Sequence, residues 1–178
     1  MQEDVLRVDF ARLINGRETR IVGNLPYNIS TPLLNRLFDY CVTQPIQDMH
    51  FMLQKEVVDR LAAVPGTKAW GRLSVIAQYH CDVERLFDVS PDAFSPSPKV
   101  TSGFLSLRPR PPVEVAYDLE DLRNVLRIAF GQRRKRLGNA VKSLGLDLTA
   151  LGLDAGLRPE AIEVSGFVAM ANQLTQQK

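Results

Sequence analysis

The sequence predicts an α/β fold, a doubly wound sheet followed by a small all-α carboxy-terminal domain. Three observations carry that prediction. Between residues 19 and 80, short apolar or β-branched runs alternate with segments whose apolar residues recur at the helical period. Two more strand-like runs follow, joined by a Pro/Ser loop too short for a helical crossover, so they pair antiparallel. Beyond them, Arg108-Pro109-Arg110-Pro111-Pro112 reads as a linker, after which the pattern turns helical. The expected division is therefore 1–107, 108–112 and 113–178.

Residues 4–10, Asp-Val-Leu-Arg-Val-Asp-Phe, read as the end of a strand running into a loop. Thr19 to Gly23 is the next strand, and Gly23 to Ser30 a sharp loop. Thr31-Pro32 predicts a helix start, with Thr as N-cap and Pro at the first helical position. Leu33, Leu34, Leu37, Phe38 and Cys41 then share one face. Asp48 to Gln54 is a mostly apolar run of the kind a buried parallel strand shows, and Lys55 to Ala63 follows as a helix, stopped by Pro65-Gly66. Arg72 to Tyr79 reads as a helix, Val83 to Val89 as a strand, Ser90 to Lys99 as a loop and Val100 to Leu107 as a strand. Asp118 to Phe130, Arg133 to Leu144 and Ser165 to Gln176 are amphipathic, with Ser165 as N-cap of the last. There is no internal repeat and no low-complexity tract.

Composition excludes several classes. At 178 residues and 45% hydrophobic, the chain can bury an ordinary core, and its net charge of +2 is too small to argue for nucleic acid by itself. Cys41 and Cys81 have no paired spacing, and no metal-type cluster surrounds His50 or His80, so a reduced, cytoplasmic, metal-free setting is expected. Cys41 and Trp70 read as packing residues, and the two histidines as non-catalytic. No apolar run approaches the roughly 18 residues of a membrane span, and the acidic start is unlike a basic leader, so no membrane association is expected.

Two loops carry candidate chemistry. Asn24-Leu25-Pro26-Tyr27 lies between a strand and a helix, at the edge where open α/β sheets present ligands. Its residues suit a flat, amino-bearing ring: Asn24 offers a carbonyl acceptor, Pro26 stiffens the turn, and Tyr27 gives a face for stacking. An ordinary Asn/Pro turn explains these four residues equally well. Phe94-Ser95-Pro96-Ser97-Pro98-Lys99-Val100, taken alone, is a stiff loop that holds Phe94 in an extended presentation. A third signal is charge. From Leu122 to Leu146 there are seven basic residues, Arg123, Arg127, Arg133, Arg134, Lys135, Arg136 and Lys142, and no acidic one. A solvated helix face normally mixes signs, so a phosphate-binding surface is favoured, with Arg133, Arg134, Lys135 and Arg136 at its centre and Lys99 as a further contact.

Together the two loops resemble the signatures Asn-Leu-Pro-Tyr-Asn and Phe-x-Pro-x-Pro-x-Val of the small-subunit rRNA adenine N6,N6-dimethyltransferases. The similarity extends over residues 49–61, 71–74 and 130–136, and so over nearly the whole chain. The resemblance implies a Rossmann-like methyltransferase sheet, S-adenosylmethionine as methyl donor, and adjacent adenines near the 3′ end of 16S rRNA in the small ribosomal subunit as substrate. It assigns the Asn24 side chain and the Leu25 carbonyl to the adenine amino group, Tyr27 and Phe94 to stacking on the base, and Pro26 to the same catalytic loop. Asp4 and Asn24 are then cofactor contacts, the helical domain docks the enzyme on the subunit, and a monomer is expected. The chain departs from the family in one respect: no Gly-x-Gly occurs in it. The expectation is the carboxy-terminal two thirds of a longer enzyme, binding S-adenosylmethionine poorly or not at all, with the strand at Arg20 to Gly23 left as an exposed edge. Two alternatives stay open, a non-enzymatic RNA-binding or ribosome-assembly module, and an adenine methyltransferase acting on 23S rRNA or DNA.

Overall fold

The structure, a computed structural model, describes residues 3–132 and 134–178. They divide into two compact units, one of Met1–Ala62 and Ile76–Pro111, the other of Ala63–Val75 and Pro112–Lys178. Residues 63–75, read from sequence as the end of one helix, its stop and the start of the next, group with the carboxy-terminal unit.

The first unit is built on a four-stranded mixed sheet. β1 (Thr19–Asn24), β2 (Ile46–Gln54), β3 (Cys81–Val89) and β4 (Ser102–Pro109) are ordered β1-β2-β4-β3. β1 and β2 are parallel, with Arg20 opposite Asp48 and Asn24 opposite Met52. β4 runs antiparallel to both β2 and β3. β1 is thus the edge expected from the sequence, and Val22 on it is 65% exposed. Met49, Phe51 and Leu53 of β2 and Leu105 and Leu107 of β4 share a buried face. The helical crossover between β1 and β2 is α2 (Ser30–Cys41), which buries Leu33, Leu34, Leu37 and Phe38. After β2, α3 (Lys55–Leu61) sets Val58 against Gly103 of β4, where an added Cβ would lie 3.0 Å from a Val58 methyl. The last helix before β3 is α4 (Arg72–His80). Its His80 is buried and stacks on Phe38 at 6.0 Å between ring centroids, a packing role. A hydrogen bond from the Cys81 thiol to Cys41, together with burial, holds that thiol above its ordinary pKa.

Several sequence expectations are corrected. Residues 4–10 are not a strand end. Asp4 Oδ1 accepts from Leu6 N at 3.0 Å and closes a turn, and Asp9 caps α1 (Phe10–Ile14) by accepting from Arg12 N at 3.2 Å. Three apolar residues, Val5, Leu6 and Val8, between aspartates fit a turn as well as a strand. α2 begins at Ser30 with Ile29 as N-cap, two residues before the expected first helical residue Pro32; Ser30 Oγ donates to Tyr27 O at 3.1 Å, and Pro32 sits deeper in the first turn, where its missing N–H still costs nothing. Arg108 and Pro109 are not linker residues, since they pair with Asp82 and Cys81 of β3. β2 stops pairing at Leu107, so β4 is locally an edge beyond it, and an edge tolerates proline.

The second unit is helical. α5 (Leu119–Gly131) is capped by Asp118, whose carboxylate accepts from Glu120 N at 2.8 Å. Its Leu122, Val125, Leu126 and Ala129 are buried, as are Phe167, Met170 and Ala171 of α7 (Val164–Gln176). Trp70 is buried with them and donates from Nε1 to Ile162 O at 2.9 Å, the packing role expected of it. α7 starts at Val164 with Glu163 as N-cap, two positions ahead of the predicted N-cap Ser165. The helix predicted over Arg133 to Leu144 is only α6 (Leu137–Ala140) followed by a 3₁₀ turn, Lys142–Leu144. Tertiary bonding overrides the pattern here, since Leu137 N donates to Leu157 O at 2.6 Å and Gly138 N to Ala155 O at 3.1 Å. Gly138 is needed for that approach, because a Cβ there would lie 3.0 Å from the Ala155 methyl.

A bidentate pair ties β1 to β2. Arg20 donates to both oxygens of the buried Asp48 at 2.7 and 2.9 Å, and His50 Nδ1 lies 3.3 Å from the same carboxylate. The Arg20 hydrogen bonds hold the Asp48 carboxyl below its ordinary pKa, outweighing burial, which raises it. A lowered folded pKa contributes stability above the unfolded value, near pH 4, that is lost as pH falls through the folded value. Arg20→Ala is therefore expected to lose about 1–2 kcal/mol at neutral pH, discounted because the arginine is half exposed. The midpoint of acid unfolding followed by circular dichroism moves to higher pH; an unchanged midpoint would contradict the pairing.

Candidate functional site

β1 ends at Asn24, and the chain turns immediately. Leu25 N donates to Met52 O at 3.1 Å, so the turn is tied to the end of β2. Gly23 leaves room for the Leu25 side chain, which is buried and would lie 3.2 Å from a Cβ there. With Leu25 anchored inward, Asn24, Pro26 and Tyr27 are all exposed. Ile29 N donates to Pro26 O at 3.2 Å and leads into α2. The Asn24 carboxamide bonds to none of the described residues and is open to a ligand.

Tyr27 reaches across the sheet. Its Oη lies 3.3 Å from Oγ of Ser102, the first residue of β4, which is 2% exposed. Ser102 faces Gln54 of β2 on one side and Val89 of β3 on the other. The loop that carries Phe94 leaves the sheet at Val89 and returns at Ser102. Its first part is a 3₁₀ turn, Pro91–Ala93, from which Phe94 N and Ser97 Oγ both donate back to Pro91 O, at 3.1 and 3.0 Å. That leaves Phe94 half-buried and Lys99 exposed. Around the loop's feet, Lys55 N donates to Thr101 O at 3.0 Å, and Lys55 Nζ pairs with Asp88 at 2.9 Å. Hydrogen bonds from Lys55 and Arg85 hold the Asp88 carboxyl below its usual range.

The structure thus brings Asn24, Leu25, Pro26 and Tyr27 to one sheet edge and ends the Phe94 loop beside Tyr27's anchor. It does not draw Asp4 into that group: the carboxylate caps its own turn and lies 3.7 Å from Arg7. Ser102, Lys55 and Asp88 were missed from sequence. Nothing in a serine at a strand start singles it out; the signal was its place, directly after the second motif.

In the helical unit, Arg134, Lys135 and Arg136 are exposed and reach no acidic partner among the described residues, while Arg133 lies outside them. Arg123 instead pairs with Glu120, and Arg127 with Asn124. A hollow of about 460 Å³ at the end of α5 is lined by Phe130, Gly131, Gln132, Arg134 and Lys135. Among the described residues no cluster of His, Cys, Asp or Glu could hold a metal, and no helix is long and apolar enough to cross a membrane.

The sequence pattern of one family, ribosomal RNA adenine dimethylase, matches residues 1–158. This chain belongs to that family. Its relatives include the ribosomal RNA small subunit methyltransferase A of Pseudomonas aeruginosa, 52% identical over 98% of this chain and 66% of the relative. That of Legionella pneumophila (strain Lens) is 52% identical over 94% of this chain and 65% of the relative. The chain spans about two thirds of the length of the relatives it matches. Among solved structures, a dimethyladenosine transferase from Plasmodium falciparum aligns with a TM-score of 0.78 at 22% identity, over 89% of this chain and 67% of that one. The 23S rRNA methyltransferase ErmE aligns at 0.55 and 23% identity, over 88% of this chain and 65% of that one. These likenesses establish the fold, a Rossmann-like methyltransferase sheet with a helical domain.

The family implies S-adenosylmethionine. The residues of this chain fit that group only in part, since the Asp4 carboxylate is engaged in its own turn and no Gly-x-Gly turn is present. What the chain does supply is the Asn24 to Tyr27 loop, whose Tyr27 hydroxyl meets Ser102 at the start of β4. The residue after Ser102 is Gly103. Gly103→Ala is expected to cost roughly 1–3 kcal/mol, because its Cβ meets Val58 of α3 inside a packed core. Urea denaturation measures it, and an unaltered midpoint would mean that β4 and α3 are less closely packed than described.

Proposed function

We propose that this chain is the base-binding and RNA-docking part of an S-adenosylmethionine-dependent enzyme. Its reaction is the N6,N6-dimethylation of adjacent adenines near the 3′ end of 16S rRNA, performed in the cytoplasm by a monomer bound to the small ribosomal subunit. The observation that carries the proposal is the exposed Asn24 carboxamide at the end of β1, on the same short loop as a Tyr27 ring anchored at the foot of the Phe94 loop.

The chemistry follows from those groups. An adenine amino nitrogen is a weak nucleophile because its lone pair is delocalised into the ring. Acceptors on its two hydrogens, the Asn24 side-chain oxygen and the Leu25 carbonyl, draw the lone pair toward nitrogen and out of conjugation. The methyl donor supplies a carbon on a sulfonium, already activated toward displacement. Tyr27 and Phe94 hold the base by stacking, each worth roughly 1–3 kcal/mol. Holding the amino group at reacting distance in a fixed orientation then lowers the barrier without a covalent nucleophile. The base must be unstacked to enter, which costs least in an RNA loop. Arg134, Lys135 and Arg136, with Arg133 and Lys99, serve the rRNA backbone, and Asn24 contacts the donor.

A second reading has one observation behind it. The incomplete donor site fits a chain that binds RNA without modifying it, the basic segment being its working part.

The test joins this chain to the part of the Pseudomonas aeruginosa relative that the match leaves out and measures methyl transfer to unmethylated 30S particles, with 50S particles as control. The proposal expects transfer to 30S only and a loss of about 10²–10³-fold in kcat/KM for Asn24→Ala. Near-normal activity of Asn24→Ala would overturn the catalytic assignment. Salt-sensitive binding to 30S with no transfer by the unmutated fusion would favour the second reading.

A further inference from the structure

We infer that Ser102 is a positioning residue for the proposed adenine pocket, its hydroxyl fixing the Tyr27 ring before a base arrives. The inference rests on the reading of Asn24 to Tyr27 as the base-holding loop. Tyr27 is 39% exposed and lies on a loop, so its ring would by itself sample its two side-chain torsions. Ser102 removes that freedom by holding the far end of the ring, hydroxyl to hydroxyl at 3.3 Å. A wall preset in this way spares the ordering cost that a mobile ring would impose on each binding event.

Ser102 is suited to the task because it is itself immobile. It is buried and paired on both sides, to Gln54 and to Val89. The next residue, Gly103, is pressed against Val58, and the carbonyl before it, on Thr101, accepts from Lys55 N at 3.0 Å. Lys55 also pairs with Asp88, the neighbour of Val89, at 2.9 Å. The strand ends between which the Phe94 loop is hung are thus fastened where Tyr27 is fastened. One hydroxyl sets the distance between the loop after β1 and the feet of the loop after β3, and with it the width available to a planar base.

The experiment is a double-mutant cycle on the full chain, read as affinity for hexa-adenylate by fluorescence anisotropy. Excess hexa-uridylate is present to occupy sites that need only phosphate. Ser102→Ala and Tyr27→Phe each remove one hydroxyl of the pair and leave the ring in place. Each is expected to weaken hexa-adenylate binding roughly three- to ten-fold, and the double variant no further than either single one. Fluorine NMR of the chain labelled with 3-fluorotyrosine gives a second readout that a merely structural serine would not move. Of four tyrosine signals, only that of Tyr27 shifts when hexa-adenylate binds, and in Ser102→Ala it broadens while Tyr40, Tyr79 and Tyr117 are unchanged. Additive losses, or wild-type affinity in Ser102→Ala while Tyr27→Ala binds weakly, would overturn the positioning role and leave the pocket standing. Undiminished hexa-adenylate binding by Tyr27→Ala would remove the pocket reading and this inference with it.

Discussion

The hydrogen bonds that hold β4 antiparallel between β2 and β3 set Ser102 beside Gln54 and Val89, and both motif loops of this unit meet there, the first through Tyr27 and the second at its returning foot. β2 receives Leu25 N on the carbonyl of Met52, and so fixes where the first loop turns. β4 begins where the second loop ends. The pairing is protected from slipping by packing: a one-residue shift would flip Leu105 and Leu107 out of the buried face and bring a side chain against Val58 in place of Gly103. Site geometry and core packing are therefore one constraint, which is why residues far from any substrate, such as Val58, bear on it.

The division of labour between side chains is equally physical. Leu25 faces inward and is buried, so its neighbours must face outward; the alternation of β1 continues one residue into the loop and presents Asn24 to solvent. The carboxylates of this unit are mostly engaged. Asp48 is held by Arg20, and Asp88 by Lys55 and Arg85. In the helical unit, the exposed cations at 134–136 have no such partners among the described residues and remain available to a polyanion.

Much of this was legible in the sequence. Strand and helix order from Thr19 to Leu107 follows from residue types and periods, and both motif loops lie where the pattern put them. The errors share a cause, since each depended on what lies elsewhere in the fold. Residues 4–10 were read by their apolar content, but Asp4 and Asp9 turned them into capped turns. Pro109 looked incompatible with a strand, and only the end of β2 at that level admits it. The helix expected after Arg133 is interrupted because Leu137 and Gly138 give their N–H groups to residues 155–157. Ser102 was invisible for the same reason, its role being a contact with a residue seventy-five positions away.

The central claim is that the end of β1 and the foot of the Phe94 loop form one surface for adenine. A titration of adenosine monophosphate into the ¹⁵N-labelled chain, followed by amide chemical shifts, tests it most directly. The account predicts changes at Gly23 to Asn28, at the amides flanking Phe94 and at Ser102, and a smaller response to uridine monophosphate at the same positions. Changes confined to other residues, or equal responses to the two nucleotides, would contradict it.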